Sequence, residues 1–114
     1  MLDIKNLEDY GADTGSGLKR CMNNEDFYLR LVKMAAQDPN FAKLDEALAA
    51  CDWKSAFEAA HALKGILGNL DLTPIFDPMS KLTEALRPLE ECEYKDLLDE
   101  IHDKLSKLKE MIEA

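Results

Sequence analysis

The chain has 114 residues, of which 46% are hydrophobic and 32% charged, the size and composition of one globular domain; two would not fit. With 14 Lys+Arg against 23 Asp+Glu the formal net charge is −9, so the field of the whole protein repels phosphate backbones and anionic lipid and makes nucleic acid and membrane surfaces poor partners. Cys21, Cys51 and Cys92 are odd in number and lack CxxC or zinc-ligand spacing, Met1-Leu2-Asp3-Ile4-Lys5 opens no apolar leader, and no stretch approaches the ~18 apolar residues of a membrane span; reduced, partly buried thiols in a cytoplasmic protein are expected.

Only five glycines and four prolines interrupt the chain, and the apolar residues fall at three-to-four spacing, which predicts an all-α fold. A polar N-terminal stretch leads to a turn at Asp13-Thr14-Gly15-Ser16-Gly17, followed by a short helix from Leu18 to Met22. Asn23 or Asn24 caps a second helix with Phe27, Leu31, Met34 and Ala35 on its apolar stripe. Asp38-Pro39 breaks it and starts a third, Pro39 to Cys51, with Phe41, Leu44, Ala47 and Leu48 inward. Asp52 caps a fourth helix from Trp53 to about Leu70. A fifth begins at Thr73-Pro74 and reaches Leu86; Pro78 within it predicts a kink or a start delayed to Asp77. Arg87-Pro88 ends it, and a sixth helix from about Tyr94 carries Leu97, Leu98, Ile101, Leu105, Leu108 and Ile112. Long amphipathic helices with short connections bury their stripes as an antiparallel four-helix bundle, here with short N-terminal capping helices, and a bundle of this size completes its core as a monomer.

The fourth helix carries the candidate site. At about 100° per residue, Ala56, Ala59, Ala60, Leu63, Ile66, Leu67 and Leu70 share its core arc, while Lys54, Phe57, Glu58, His61, Lys64, Gly65, Gly68 and Asn69 occupy the opposite one. His61 lies across from the centre of the apolar stripe and is expected in solvent. Two glycines inside an exposed helix cost about 1 kcal/mol each relative to alanine, so folding alone would not select Gly65 and Gly68. They clear a surface one and two turns from the imidazole, and Lys64 sets an ammonium beside it. That combination suits a nucleophile that accepts a transferable anionic group. Against it stands the ordinary fate of an exposed helical histidine, which is to be decorative. Phe57 either docks a partner or folds over the bundle edge; Lys54 and Glu58 form a solvated flank. His102, amid Asp99-Glu100-Ile101 and Asp103-Lys104, reads as plain surface, and Trp53 as core packing.

His61-Ala62-Leu63-Lys64-Gly65 followed by Gly68-Asn69 resembles the HxLKG signature of histidine-containing phosphotransfer (HPt) domains, which are four-helix bundles. Gly17-Leu18-Lys19-Arg20 through Asn24-Glu25-Asp26-Phe27-Tyr28-Leu29 is similar to the family's first two helices, and Ala49-Ala50-Cys51-Asp52-Trp53 to the turn before its active helix; the resemblance spans about residues 10–112. Ile66 and Leu67 stand where the family often has small polar residues. The resemblance implies that His61 is the phosphoacceptor and Lys64 steadies the phosphoryl oxygens, while Gly65 and Gly68, with Phe57, Glu58 and Asn69, meet a response-regulator receiver domain. It further implies a multistep two-component relay fed by a hybrid sensor histidine kinase, with Mg²⁺ brought by the receiver and no cofactor or metal held by this chain. A free imidazole titrates near pH 6.5, so its nucleophilic form is abundant at neutral pH. No GxxxxGK[ST], Gly-rich loop or spaced acidic cluster suggests a nucleotide site, and autophosphorylation from ATP is not expected. The competing readings are a helical docking module without phosphotransfer and, with less support, a hydrolase or metal enzyme.

Overall fold

The computed structural model describes residues 1–113; the single domain expected over 1–114 includes one residue outside them. Seven helices and no strand occur among the described residues: α1 Ile4–Tyr10, α2 Thr14–Arg20, α3 Glu25–Ala36, α4 Asn40–Ala49, α5 Trp53–Asn69, α6 Thr73–Leu86 and α7 Lys95–Glu113.

The all-helical expectation holds, and the N-terminal part corrects it in detail. The presumed polar stretch forms α1, whose N-cap Asp3 accepts from the Asn6 amide at 2.7 Å and whose C-cap Gly11 adopts φ 113°. The presumed turn at 13–17 is the first part of α2, capped by Asp13 accepting from the Ser16 amide. The helix expected from Leu18 to Met22 therefore starts at Thr14 and ends at Arg20. Gly17 belongs there for packing: a Cβ on it would lie 2.6 Å from the Tyr28 ring. The stripe of α3 is also rotated by one residue. Tyr28, Val32, Ala35 and Ala36 are buried, whereas Phe27 and Met34 are exposed. Tyr28 wins the inward position because its hydroxyl donates to the Leu70 carbonyl at 2.8 Å, which lets a polar-tipped aromatic be fully buried.

Helix α4 stops at Ala49, short of Cys51, which turns to φ 56° and is exposed rather than partly buried. Helix α6 starts at Thr73 and runs through Pro78, so its start is not delayed. Proline forgoes one amide bond, and burial of Ile75, Pro78, Met79 and Leu82 holds the segment helical regardless.

Helix α5 packs between α4 and α6, α6 against α7, and α7 against α3, while α1 touches α2 and α7. Three-residue connections at 50–52 and 70–72 turn the chain back on itself at both ends of α5. Ala56, Ala59, Ala60, Leu63 and Leu67 form the buried stripe of α5 as expected, but Ile66 is only half-buried. It lines an apolar depression with Leu31, Met34, Pro39 and Asn69 at the edge of α3. Fully burying a leucine such as Leu63 contributes roughly 1.5–3 kcal/mol, so α5 is fixed from its core side and presents the opposite arc outward.

Candidate functional site

Asp52 fixes the start of the site helix: its carboxylate accepts from the Ser55 amide at 3.2 Å. Hydrogen bonds from the Ser55 side chain and amide hold that carboxyl below its ordinary value. About two and a half to three and a half turns on, the outer arc displays an exposed His61, a half-buried Lys64 and an exposed Gly65. These three line a shallow surface hollow of about 300 Å³ together with Gly68, Asn69 and Phe76. At Gly65 an added Cβ would meet nothing within 4 Å. The space beside His61 is open to an incoming surface.

Gly68 has a different reason. Its missing Cβ would lie 2.9 Å from Cε1 of Phe76 on α6, so this glycine admits an aromatic ring between α5 and α6 and is half-buried, not part of the cleared face. The outer arc of α5 is edged by α6, and the helical wheel of α5 by itself does not contain that neighbour.

Phe57 is half-buried and stacks on the imidazole of His61, with ring centroids 5.6 Å apart and planes 18° from parallel. The Arg87 guanidinium stands over the Phe57 ring, 5.3 Å from its centroid. Arg87 is in turn gripped by Glu84, whose Oε2 accepts from Nε at 2.9 Å and from Nη2 at 2.8 Å. Those hydrogen bonds hold the Glu84 carboxyl below its ordinary value, with smaller electrostatic contributions from Arg87, Lys64 and His61. The end of α6 therefore shares one electrostatic neighbourhood with the outer arc of α5.

At the other end of the helix, Arg20 Nη1 donates to the Gly68 carbonyl at 3.2 Å and its Nε faces Asp71 Oδ2 at 3.7 Å. The Asp13 amide donates to the Asp71 carbonyl at 3.0 Å. These contacts bind α2 and its N-cap to the α5–α6 connection.

His61, Lys64, Gly65, Gly68 and Asn69 are thus brought to one hollow, with Phe57 flanking the imidazole. Glu58 is separate: it lines a cleft between α4 and α5 with Lys43, Glu46, Asp52 and Ser55. His102 is exposed but not isolated, since its Nε2 lies 2.8 Å from Asp45 Oδ1 and joins α7 to α4. Trp53 is half-buried against Tyr94, with centroids 6.2 Å apart. Phe76, Glu84, Arg87 and Arg20 escaped the sequence reading. Arg87 had only a helix-ending role there; the spacing Glu84-x-x-Arg87 at the end of α6 is the signal that a search for i,i+3 ion pairs would have found. Among the described residues, no group of three or more His, Cys, Asp or Glu is placed to hold a metal ion, and no helix is long and apolar enough to cross a membrane.

An exposed histidine, a half-buried lysine one turn on and an adjoining bare helix face are thus carried together on one helix of the bundle. The family model of the Hpt domain matches residues 30–114, and the chain belongs to that family. Hpt domains are phosphocarriers that interact with receiver domains and serve histidine phosphotransfer in the phosphorelays of two-component signalling. No curated protein and no solved structure matches the chain. Helices α1 and α2 and the first turn of α3, including Arg20 and Tyr28, precede the matched region.

Proposed function

We propose that the chain is a single-domain, monomeric cytoplasmic carrier in which His61 takes a phosphoryl group from an aspartyl phosphate of a response-regulator receiver domain and passes it to a second receiver, the first being part of a hybrid sensor histidine kinase. The observation that carries this reading is the exposed imidazole of His61 beside Lys64 and the open space over Gly65. A neutral ring nitrogen forms the N–P bond as the bond from phosphorus to the aspartate oxygen breaks. The electron pair leaves on the carboxylate, and the proton on the other ring nitrogen is released to solvent. Lys64 offsets charge on the phosphoryl oxygens, while Gly65, Asn69 and the flanking Phe57 receive the partner. Such transfer asks mainly for positioning and charge stabilisation. The receiver supplies Mg²⁺, this chain binds no cofactor of its own, and ATP does not phosphorylate it directly.

The test is incubation with a ³²P-labelled receiver and Mg²⁺, comparing the wild type with His61→Gln. Acid-labile, alkali-stable label on the wild type alone supports the carrier role. Receiver binding that is equal for both proteins, with no label on either across several receivers, refutes it in favour of a docking module.

A further inference from the structure

An exposed imidazole on a helix is ordinarily free to sample its staggered χ1 wells, which would leave the nucleophile misaimed for part of the time. His61 has an aromatic neighbour. Its ring lies against Phe57, four residues earlier and one turn below, in a near-parallel stack. Phe57 is itself at the bundle edge, and what holds its ring comes from α6: Arg87 sits over it, and Glu84 fastens the guanidinium through two N–H donors. Arg87 is also the C-cap residue of α6, where its amide bonds to the Glu84 carbonyl and a cation is favoured by the helix dipole. Glu84, Arg87, Phe57 and His61 therefore form a continuous column from α6 to the outer arc of α5.

We propose that Arg87 is a positioning residue for His61, acting through the ring of Phe57: the α6 ion pair clamps the aromatic, and the aromatic sets the imidazole rotamer from which the phosphoryl group is accepted. The proposal rests on the carrier reading for its purpose, but the orientation it describes is measurable without any partner. Releasing the clamp spreads the imidazole over two or three wells, so the aimed population falls by about two- to threefold.

The experiment uses the full chain and potassium phosphoramidate, a small donor that phosphorylates histidine directly: the N–P bond to the imidazole forms as the bond from phosphorus to ammonia breaks. Labelling of His61 is followed in the wild type, Arg87→Met, Arg87→Lys, Phe57→Leu and Phe57→Tyr, alongside NMR of the His61 ring protons and their cross-relaxation with Phe57. Urea unfolding checks each fold. In the wild type the ring protons are shifted upfield by the stacked phenyl. Arg87→Met and Phe57→Leu both lose that shift and label about two- to threefold more slowly, whereas Arg87→Lys recovers part of the loss and Phe57→Tyr keeps both signals. Because Phe57→Leu retains the Arg87 cation, slower labelling in Arg87→Met with an unchanged Phe57→Leu identifies a charge effect on the donor and overturns the proposal. Ring protons that keep the wild-type upfield shift in a folded Arg87→Met also overturn it. If the shifts and rates change as expected while no receiver exchanges phosphate with the wild type, the positioning column stands and the relay reading falls.

Discussion

Replacing Gly65 with alanine separates what the fold wants from what the site wants. The position lies inside α5, the added methyl meets nothing within 4 Å, and its φ is negative. Alanine is about 0.8–1.0 kcal/mol better than glycine in a helix interior, and no steric term opposes that gain here. Gly65→Ala is therefore expected to be more stable than the wild type by about 1 kcal/mol. For a domain of this length that is roughly 4 °C in Tm and, at an m-value of about 1.5 kcal/mol/M, roughly 0.7 M in urea midpoint, both read from helical circular dichroism. The same methyl stands one turn from His61 in the hollow proposed to admit a receiver. Forcing an extra methyl into a closed contact costs about 1–3 kcal/mol, so transfer from a labelled receiver should slow by roughly five- to 150-fold. A variant that is not stabilised refutes the open face, and one that is stabilised but transfers at the wild-type rate refutes the idea that Gly65 is kept bare for a partner.

Gly68→Ala should gain less stability than Gly65→Ala in the same urea titration, because its methyl displaces the Phe76 ring. Leu63→Ala, at a fully buried core position, is expected to cost about 2–5 kcal/mol by chemical unfolding. Tyr28→Phe leaves the buried Leu70 carbonyl without its donor and should cost about 1–3 kcal/mol. Burial, with Asp71, Cys21 and Asp13 adding to it, pushes the Tyr28 hydroxyl up from 10.0 to about 12. A raised pKa means that the folded state holds the proton more tightly, so this contribution is complete below pH 10 and is lost as the pH rises toward about 12. Stability measured across that interval should fall less steeply in Tyr28→Phe than in the wild type; equal slopes would contradict the assignment.

The face of α5 was legible because one helix carries most of it: period, cap and exposed glycines are all local properties of Asp52 through Asn69. What lay outside one helix was not. Gly68 reads as a cleared position because its wheel angle matches that of His61, while its real neighbour, Phe76, arrives from α6. Phe57 carries two equal readings in sequence, because the Arg87 guanidinium over its ring comes from the end of α6. The register of α3 slipped because apolar counting favours phenylalanine over tyrosine, and the bond from Tyr28 to Leu70 crosses 42 positions. Helix α1 is unpredicted, and α2 is expected four residues late, at Leu18 instead of Thr14, for another reason. At seven residues each they are too short to show a period, and their Asp3 and Asp13 caps precede no apolar run.

The N-terminal helices also bear on how the site helix is held. Residues before position 30 lie outside the family match, yet they anchor the C-terminal end of α5: Arg20 adds a donor to the Gly68 carbonyl, which also accepts from the Asp71 amide, Tyr28 satisfies the carbonyl of Leu70, and the Asp13 amide donates to the Asp71 carbonyl. The last carbonyls of a helix have no partner within it, and an end left to water frays. Asp52 secures the opposite end, the core holds one side, and the column from Glu84 to Phe57 holds the edge next to His61. The proposed carrier, meeting two partners at one imidazole, would gain from such constraint, since every rotamer and turn already ordered before encounter is entropy not lost during it. On this argument the segment ahead of the matched region belongs to the working unit, because it closes the end of the helix on which the imidazole is carried.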